Sequence, residues 1–362
     1  MGGSLLENKE KPTAALLNEG INQGISSFSA DGLYEMIDKN VSLAKKLVGE
    51  RLLRIVTGYD PEYLEKNIRI PEFKKQIQKN IATTIQKAKE MGYLDDEGAF
   101  TQKGIELVGM HLYLEELDKL LSHGNTLGEK RSKQQGRVGN SDTTRHFKQG
   151  DPFSVINPKK SVQEAIKKNI NQITKQELIV DIKKAKSTIE IIYALDCSGS
   201  MKGKKIEMGK KAGIALAYHA FEQKNRVGLV LFNDEVIESL PPRTPFLELL
   251  RKIVKAKPLH QTDIKKAIQT ASLLFKNNDA KKHLLLISDL EPTVGNIPEE
   301  ETLLEIEKLT AKGISLTFIG ISLSLEAELF AKKIQSITGT KHYLVKELES
   351  LDTIVLEDYW QL

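Results

Sequence analysis

The sequence predicts an α/β domain with a doubly wound, mostly parallel sheet, preceded by an α-helical N-terminal domain. Beyond residue 177, short apolar runs alternate with amphipathic segments of helical length, which is typical of βαβ units. The central runs, such as Ile191–Leu195 and Leu284–Ile287, are continuously apolar, as expected for strands buried on both faces. Before residue 124, apolar residues recur every three or four positions instead, which indicates helices.

The α/β domain is expected to span residues 177–362. Its strands are expected at Leu178–Ile182, Ile189–Leu195, Val227–Phe232, Val236–Leu240, Leu284–Ile287, Leu316–Ile321 and Tyr343–Val345. Its helices are expected at Lys204–Phe221, Phe246–Val254, Ile264–Phe275, Glu300–Ala311 and Glu326–Ile337. The first of these helices is rich in alanine and glycine, and such small residues allow it to pack closely on the sheet.

The N-terminal part is expected to comprise a loosely ordered segment, residues 1–28, and a helical domain, residues 29–123. Ser29 is expected to start one long amphipathic helix whose last apolar position is Ile55. A second helix follows, and then a small hairpin over Tyr93–Thr101, whose last residue is expected to cap a third helix.

A basic flexible linker, residues 124–149, and a connecting helix region, residues 150–176, are expected between the two domains. Ser161–Glu164 has the pattern of a capping box ahead of a short helix. From Asn125 to Lys186 the chain has 14 Lys and Arg against 6 Asp and Glu, a surplus of eight positive charges. Such a surplus is compatible with a solvated connector and with contact to an acidic partner or nucleic acid.

The composition of the chain argues against disulfide-stabilised, membrane-spanning and secreted proteins. The chain has 362 residues, a net charge of +4 and a single cysteine, which excludes an internal disulfide framework. No apolar run is long enough to span a membrane, and the first residues do not have the pattern of a signal peptide. We therefore expect a cytoplasmic protein.

Oxygen-bearing side chains follow the first central strand. Asp196, Ser198 and Ser200 stand at alternate positions in a glycine-containing turn directly after Ile189–Leu195. Ligands bind beyond the carboxyl ends of strands in open α/β sheets, and hard oxygen ligands suit Mg²⁺ or Mn²⁺. Thr262 opens a later helix, and Asp289 ends a second buried strand. The two strands are expected to be neighbours, which would bring both aspartates to one edge of the sheet.

These five residues resemble the metal-ion-dependent adhesion site (MIDAS) of von Willebrand factor type A domains, in which Asp-x-Ser-x-Ser is followed by a threonine and an aspartate. The resemblance covers residues 177–362. It implies that the serines and the threonine contact a metal ion, that the aspartates bind it directly or through water, and that a carboxylate of a partner protein completes the coordination.

This chain departs from the family pattern at two places. The threonine often follows glycines, but here it follows His260 and Gln261. The last aspartate often precedes glycine, but here Leu290 follows it. Asp263 or Glu291 remains an alternative ligand to Thr262 or Asp289.

A narrower resemblance rests on the segment Asp96–Gly104, the basic linker and Gly150–Phe153. This order is similar to that in prokaryotic proteins related to the D subunit of magnesium chelatase and to CoxE-like proteins. It implies partnership with a MoxR-type AAA+ ATPase in metal insertion or complex assembly.

Other functions remain open. Met91–Val108 resembles the wing and following helix of a winged-helix fold, which beside a basic linker would bind nucleic acid. An aspartate after a strand can also accept a phosphoryl group, as in haloacid-dehalogenase-like enzymes, although these usually have a second aspartate where this chain has Ser198. Cys197 is expected to be a small residue in packing rather than a redox thiol. Binding rather than catalysis is the favoured function.

Overall fold

The structure is a computed structural model that describes residues 10–134, 143–147, 156, 160–163, 178–182, 188–276, 280–339, 341–345 and 348–362. The chain forms two compact units. The larger unit contains residues 1–118 and 188–362, and the smaller unit contains residues 119–187.

The described residues 10–134 form seven helices. They are α1 (Lys11–Asn22), α2 (Ala30–Lys39), α3 (Val41–Val48), α4 (Glu50–Thr57), α5 (Pro61–Asn67), α6 (Pro71–Glu90) and α7 (Gln102–Gln134). Between α6 and α7, a small hairpin is held by a bridge of Leu94 with Phe100. The Oγ1 of Thr101 accepts the amide of Gly104 at 3.1 Å, so the predicted cap of the third helix is confirmed.

The smaller unit contains a two-stranded antiparallel sheet of β1 (Thr143–His146) and β2 (Ile179–Ile182). The larger unit contains a six-stranded sheet in the order β5-β4-β3-β6-β7-β8. Its strands are β3 (Ile189–Asp196), β4 (Arg226–Phe232), β5 (Val236–Leu240), β6 (Lys281–Ser288), β7 (Ser315–Ile321) and β8 (Lys341–Val345). All neighbours pair in parallel except β5, which returns antiparallel beside β4. The predicted doubly wound, mostly parallel sheet is confirmed.

Six helices accompany this sheet. They are α8 (Lys204–Glu222), α9 (Phe246–Lys255), α10 (Ile264–Leu274), α11 (Pro298–Ala311), α12 (Leu325–Thr338) and α13 (Leu351–Trp360). On β3, Tyr193 and its alternate neighbours join a buried cluster with α8, α9 and α13. Ile192 and Ala194 join the opposite cluster with α10, α11 and α12. The two-residue period of the strand therefore divides its side chains between two helical layers.

The close packing predicted for the first helix of the domain is confirmed at Tyr193. The ring is 1% exposed, and its hydroxyl donates a hydrogen bond to the carbonyl of Gly209. A Cβ built on Gly213 would lie 2.7 Å and 3.0 Å from two ring carbons. The glycines of α8 thus leave the room that the ring occupies.

The expectation of a loosely ordered segment over residues 1–28 is wrong, because α1 lies inside it. Leu16, Leu17 and Ile21 are at most 1% exposed and belong to the same buried cluster as α8. Burial of these apolar side chains stabilises a helix whose own glycine and asparagine disfavour it. The expected separation of a helical domain from the sheet domain is also not observed, since both contribute to one core.

The single long helix expected from Ser29 to Ile55 is in fact three helices. Asn40 is extended, and its Oδ1 accepts the amide of Leu43 at 2.9 Å, which caps α3. Gly49 adopts φ of +82° between α3 and α4. The apolar period continues through both breaks because all three helices face one core, so periodicity alone did not reveal the breaks.

The region expected to be a flexible linker, residues 124–149, begins inside α7 and contains β1. Ser161 does not start a helix: it lies within helical residues 160–163, and its Oγ accepts the amide of Ile179 at 2.8 Å. The rest of the connecting helix region expected at residues 150–176 lies largely outside the described residues. Since β2 pairs with β1, the α/β domain begins near residue 188 instead of 177.

The C-terminal helix α13 was not expected from the sequence, although its residues Leu351, Val355 and Leu356 are at most 2% exposed.

Within the described part of the chain, no helix combines the length and the apolar character needed to cross a membrane.

Gly213→Ala tests the packing of α8 against Tyr193. Alanine favours a helix by about 1 kcal/mol over glycine, but overpacking a core costs about 1–3 kcal/mol. We expect Gly213→Ala to lower the free energy of unfolding, as measured by urea denaturation. The matched control is Gly109→Ala in α7, where the added Cβ would lie 3.6 Å from its nearest neighbours. This control should be neutral or stabilising, and equal stabilisation by both substitutions would contradict the packing described.

Candidate metal site at the sheet edge

Asp196 is the last residue of β3 and is fully buried. Its Oδ1 accepts the amide of Ser198 at 2.8 Å, and its Oδ2 accepts the hydroxyl of Ser288 at 2.5 Å. β3 and β6 run in parallel with Leu195 opposite Ile287, so both strands end at one edge. Asp196 and Asp289 therefore share this edge, as the sequence predicts.

The two serines of the motif lie together in the turn that follows Asp196. Their Oγ atoms are 3.0 Å apart. Ser198 is 1% exposed, whereas Ser200 lies in a short 3₁₀ turn and is exposed. The turn thus presents one buried and one accessible hydroxyl beside a buried carboxylate.

Asp289 follows β6 and is 3% exposed. Its Oδ2 lies 3.4 Å from the Nζ of Lys205, at the start of α8. Its Oδ1 is buried without a hydrogen-bond partner. A buried carboxylate oxygen without a partner loses the solvation it has in water, so it is a position where a cation would be stabilised.

Thr262 is 3% exposed and lies in the loop before α10. That loop is joined to the Asp196 turn by two backbone hydrogen bonds. The amide of Leu259 donates to Cys197 at 2.8 Å, and the amide of Gly199 donates to His260 at 3.0 Å. The structure therefore brings the Thr262 loop against the turn that carries the serines.

The alternative ligands have other roles or positions. Asp263 caps α10, because its Oδ1 accepts the amide of Lys266 at 2.9 Å. Glu291 is exposed. These observations favour Thr262 and Asp289 as donors over Asp263 and Glu291.

The two positions that depart from the family pattern also have an uncommon backbone conformation. His260 adopts φ of +65° and Leu290 adopts φ of +56°, which is the region that glycine adopts most easily. Leu290 is 2% exposed and its amide donates to the hydroxyl of Ser288 at 2.9 Å. The loops thus keep a left-handed conformation with side chains present, one of which is anchored in the core.

Burial dominates the electrostatics of the site. The pKa of Asp196 is raised from 3.8 to about 7, mainly by desolvation and also by the nearby charge of Asp289, against the hydrogen bonds from Ser288 and Ser198. A divalent cation at this edge would favour the ionised form of the buried Asp196 carboxylate.

Two lysines after the turn, Lys202 and Lys205, have local contacts. The Nζ of Lys202 donates to the backbone carbonyl of Leu47 at 2.5 Å, and Lys205 lies beside Asp289. Cys197 is fully buried and its pKa is raised by burial, so its expected packing role is confirmed.

Ser288 was not identified from the sequence as part of the site. Its signal was present, since it is the last residue of a buried strand directly before Asp289. In the part of the chain that is described, no three His, Cys, Asp or Glu side chains cluster as a metal site. The candidate donors are therefore two carboxylates and three hydroxyls, the hard oxygen ligands that Mg²⁺ and Mn²⁺ prefer.

Comparison with known proteins points to one family for the central strands. Residues 191–291 match the profile of a family described as the von Willebrand factor type A domain. An uncharacterised protein of Methanocaldococcus jannaschii is 27% identical over 161 residues, which are 41% of this chain and 90% of that protein. The magnesium-chelatase 67 kDa subunit of Heliobacterium mobile is 25% identical over 178 residues, which are 45% of this chain and 27% of that protein.

Two solved structures are similar over part of the chain. The vWF domain of the type V pili tip protein Mfa5 from Porphyromonas gingivalis matches over 49% of this chain and 97% of its own, with 11% identity and a TM-score of 0.43. Proximal thread matrix protein 1 from the mussel byssus, with a zinc-occupied MIDAS motif, matches over 47% of each chain, with 20% identity and a TM-score of 0.39.

Asp196→Asn tests the electrostatics of the buried carboxylate. Because the folded-state pKa of Asp196 is raised to about 7 from 3.8, the native protein binds more protons than the unfolded chain between these values. This group therefore makes the metal-free protein less stable as pH rises from about 4 to about 7. Asparagine removes the effect, so the free energy of unfolding of the wild type minus that of the variant should fall over this pH range. Urea denaturation in chelator measures it, and a difference independent of pH would contradict the proposed environment.

Proposed function

Because residues 191–291 match the profile of the von Willebrand factor type A domain, we propose that the chain is a metal-dependent protein-binding module. The ion would be Mg²⁺ or Mn²⁺, and the partner would supply a glutamate or aspartate to it. The residues that would hold the ion are Asp196, Ser198, Ser200, Thr262 and Asp289.

The observation that carries this proposal is the unpartnered Oδ1 of Asp289 at the same sheet edge as the fully buried Asp196. The adjoining serine hydroxyls are neutral oxygen donors that fit a hard cation. A cation would therefore stabilise these groups more than further hydrogen bonds would.

A partner carboxylate fits the coordination that would remain. Mg²⁺ prefers six oxygen ligands in octahedral geometry, and five protein donors would leave at least one position open. Ser200 is exposed, so an incoming group can approach the turn from solvent. The ion would supply the charge that binds an anionic ligand, while the surrounding loops would select the partner.

The identity of the partner is a further step of the proposal. We propose a MoxR-type AAA+ ATPase, in metal insertion or complex assembly. The support is the order of helical region, basic segment and type A domain, together with the distant likeness to a magnesium-chelatase subunit, which spans 27% of that protein.

Calorimetric titration with Mg²⁺ and with Mn²⁺ tests the metal site. We expect one cation per chain for the wild type and no measurable uptake for Asp196→Ala, because the buried carboxylate would be lost. The matched control is Asp234→Asn, which removes a carboxylate just after β4, at the same end of the sheet. The control should bind as the wild type does, and a wild type that takes up neither cation would contradict the proposal.

Affinity capture from a cell extract tests the partner. The tagged wild type in Mg²⁺ should retain an AAA+ ATPase, identified by mass spectrometry, and should lose it in chelator. Asp196→Ala should also lose it. Absence of such an ATPase from the metal-dependent set would contradict the partner assignment.

The same samples distinguish the other functions. Nucleic-acid binding through the N-terminal region and the basic segment would survive Asp196→Ala and weaken steeply with salt. Metal-dependent phosphoryl chemistry would appear as hydrolysis of a generic phosphate ester in Mg²⁺. We expect neither result.

A further inference from the structure

The C-terminal end of α1 lies at the root of the turn that carries the serines. Asn22, the last residue of α1, is fully buried. Its backbone carbonyl accepts the amide of Gly203 at 2.9 Å, and its Oδ1 accepts the Nζ of Lys210 at 2.8 Å. One asparagine therefore contacts both the residue that ends the turn and the helix α8 that follows it.

Gly203 is the position where the turn becomes α8. It adopts φ of +77°, and its amide is among those that a helix leaves unpaired at its N-terminus. Asn22 satisfies this amide. The preceding residue, Lys202, donates to the carbonyl of Leu47 in α3 at 2.5 Å. Two consecutive residues after the serines are thus fixed by the N-terminal helices.

The buried amine of Lys210 stabilises the contact between α1 and α8. Its side chain is fully buried, and burial lowers its pKa to about 7. A buried amine without an acceptor would be strongly destabilising. The Oδ1 of Asn22 meets this need, so separating α1 from α8 would leave Lys210 without that bond.

Ion pairs reinforce the same junction. The guanidinium of Arg51 in α4 lies 3.2 Å from Glu207, one turn before Lys210. Lys211 lies 3.2 Å from Glu207 and 2.9 Å from Glu115 in α7. Glu207 is buried, whereas the side chains of Arg51 and Glu115 are 52% and 40% exposed, so Glu207 is the buried centre of a network whose outer charges are partly screened by solvent. The helical region therefore holds the first two turns of α8 from several sides.

We propose that Asn22 and Lys202 are positioning residues for the cation site, so that the helical region is a functional part of the site. This inference rests on the proposed function. The ligand turn is held between two anchors: Asp196 and Ser288 on the sheet side, and the contacts of Gly203 and Lys202 on the helical side. Loosening the second anchor would leave the carboxylates in place and displace the serine hydroxyls.

Lys202→Met separates this effect from simple electrostatics, because the two predict opposite signs. Removing a positive charge near a cation site should tighten cation binding. If the tie to Leu47 positions the turn, its loss should weaken binding instead. The matched control is Lys266→Met, which removes one exposed charge in the first turn of α10, shortly after Thr262, and leaves the Leu47 bond in place. We expect Lys202→Met to bind Mg²⁺ about fivefold or more weakly, and the control to bind as the wild type or more tightly.

The second variant is Asn22→Ala combined with Lys210→Met. Removing both side chains avoids leaving the buried amine of Lys210 unsatisfied, although Asn18 also loses the hydrogen bond that the Nδ2 of Asn22 donates to it at 3.3 Å. Circular dichroism checks the fold, and calorimetry measures Mg²⁺ affinity. We expect weaker Mg²⁺ binding, again by about fivefold or more, in a folded protein.

Normal Mg²⁺ affinity in either folded variant, beside a wild type that binds Mg²⁺, would overturn this inference and leave the proposed function standing. A wild type that does not bind Mg²⁺ would contradict the proposed function and this inference with it.

Discussion

The parallel pairing of β3 with β6 is the constraint on which the rest of the site depends. It ends two buried strands side by side, and each strand is followed or closed by an aspartate. Asp196 has no exposed surface, and Asp289 keeps one buried oxygen without a hydrogen bond. The desolvated carboxylate of Asp196 is unfavourable in its charged form unless it is protonated or neutralised by a cation. Protonation of Asp196, which its raised pKa favours, and binding of the proposed cation would each relieve the cost of a buried negative charge.

The helical region and the sheet share one hydrophobic core, and this changes how the site is understood. The six-stranded sheet and its helices considered alone would begin at β3 and present their loops at the sheet edge. In this chain α1 and α3 also contact the segment between the serines and α8, and α4 contacts Glu207 in the first turn of α8. The turn is held on both sides, by the end of β3 and by buried helices. The N-terminal region is therefore more than a connector to a separate binding module.

Much of the sheet domain could be predicted because its signals are local. Continuous apolar runs identified six of its strands, and the spacing of Asp196, Thr262 and Asp289 placed oxygen donors where strands end or helices begin. The pairing of β2 with β1 and the burial of α1 depend on contacts between residues distant in sequence, which periodicity does not encode. The breaks at Asn40 and Gly49 were hidden because one core faces three successive helices. Ser288 was missed because a serine in an apolar strand has no distinctive pattern.

Anomalous X-ray scattering from crystals grown with Mn²⁺ tests the central claim most directly, because it locates the ion without assuming its ligands. The account predicts one peak at the carboxyl end of β3, within bonding distance of the Oγ atoms of Ser198 and Ser200 and next to the carboxylates of Asp196 and Asp289. A well-ordered turn with no peak there, or a peak held by other residues, would contradict it.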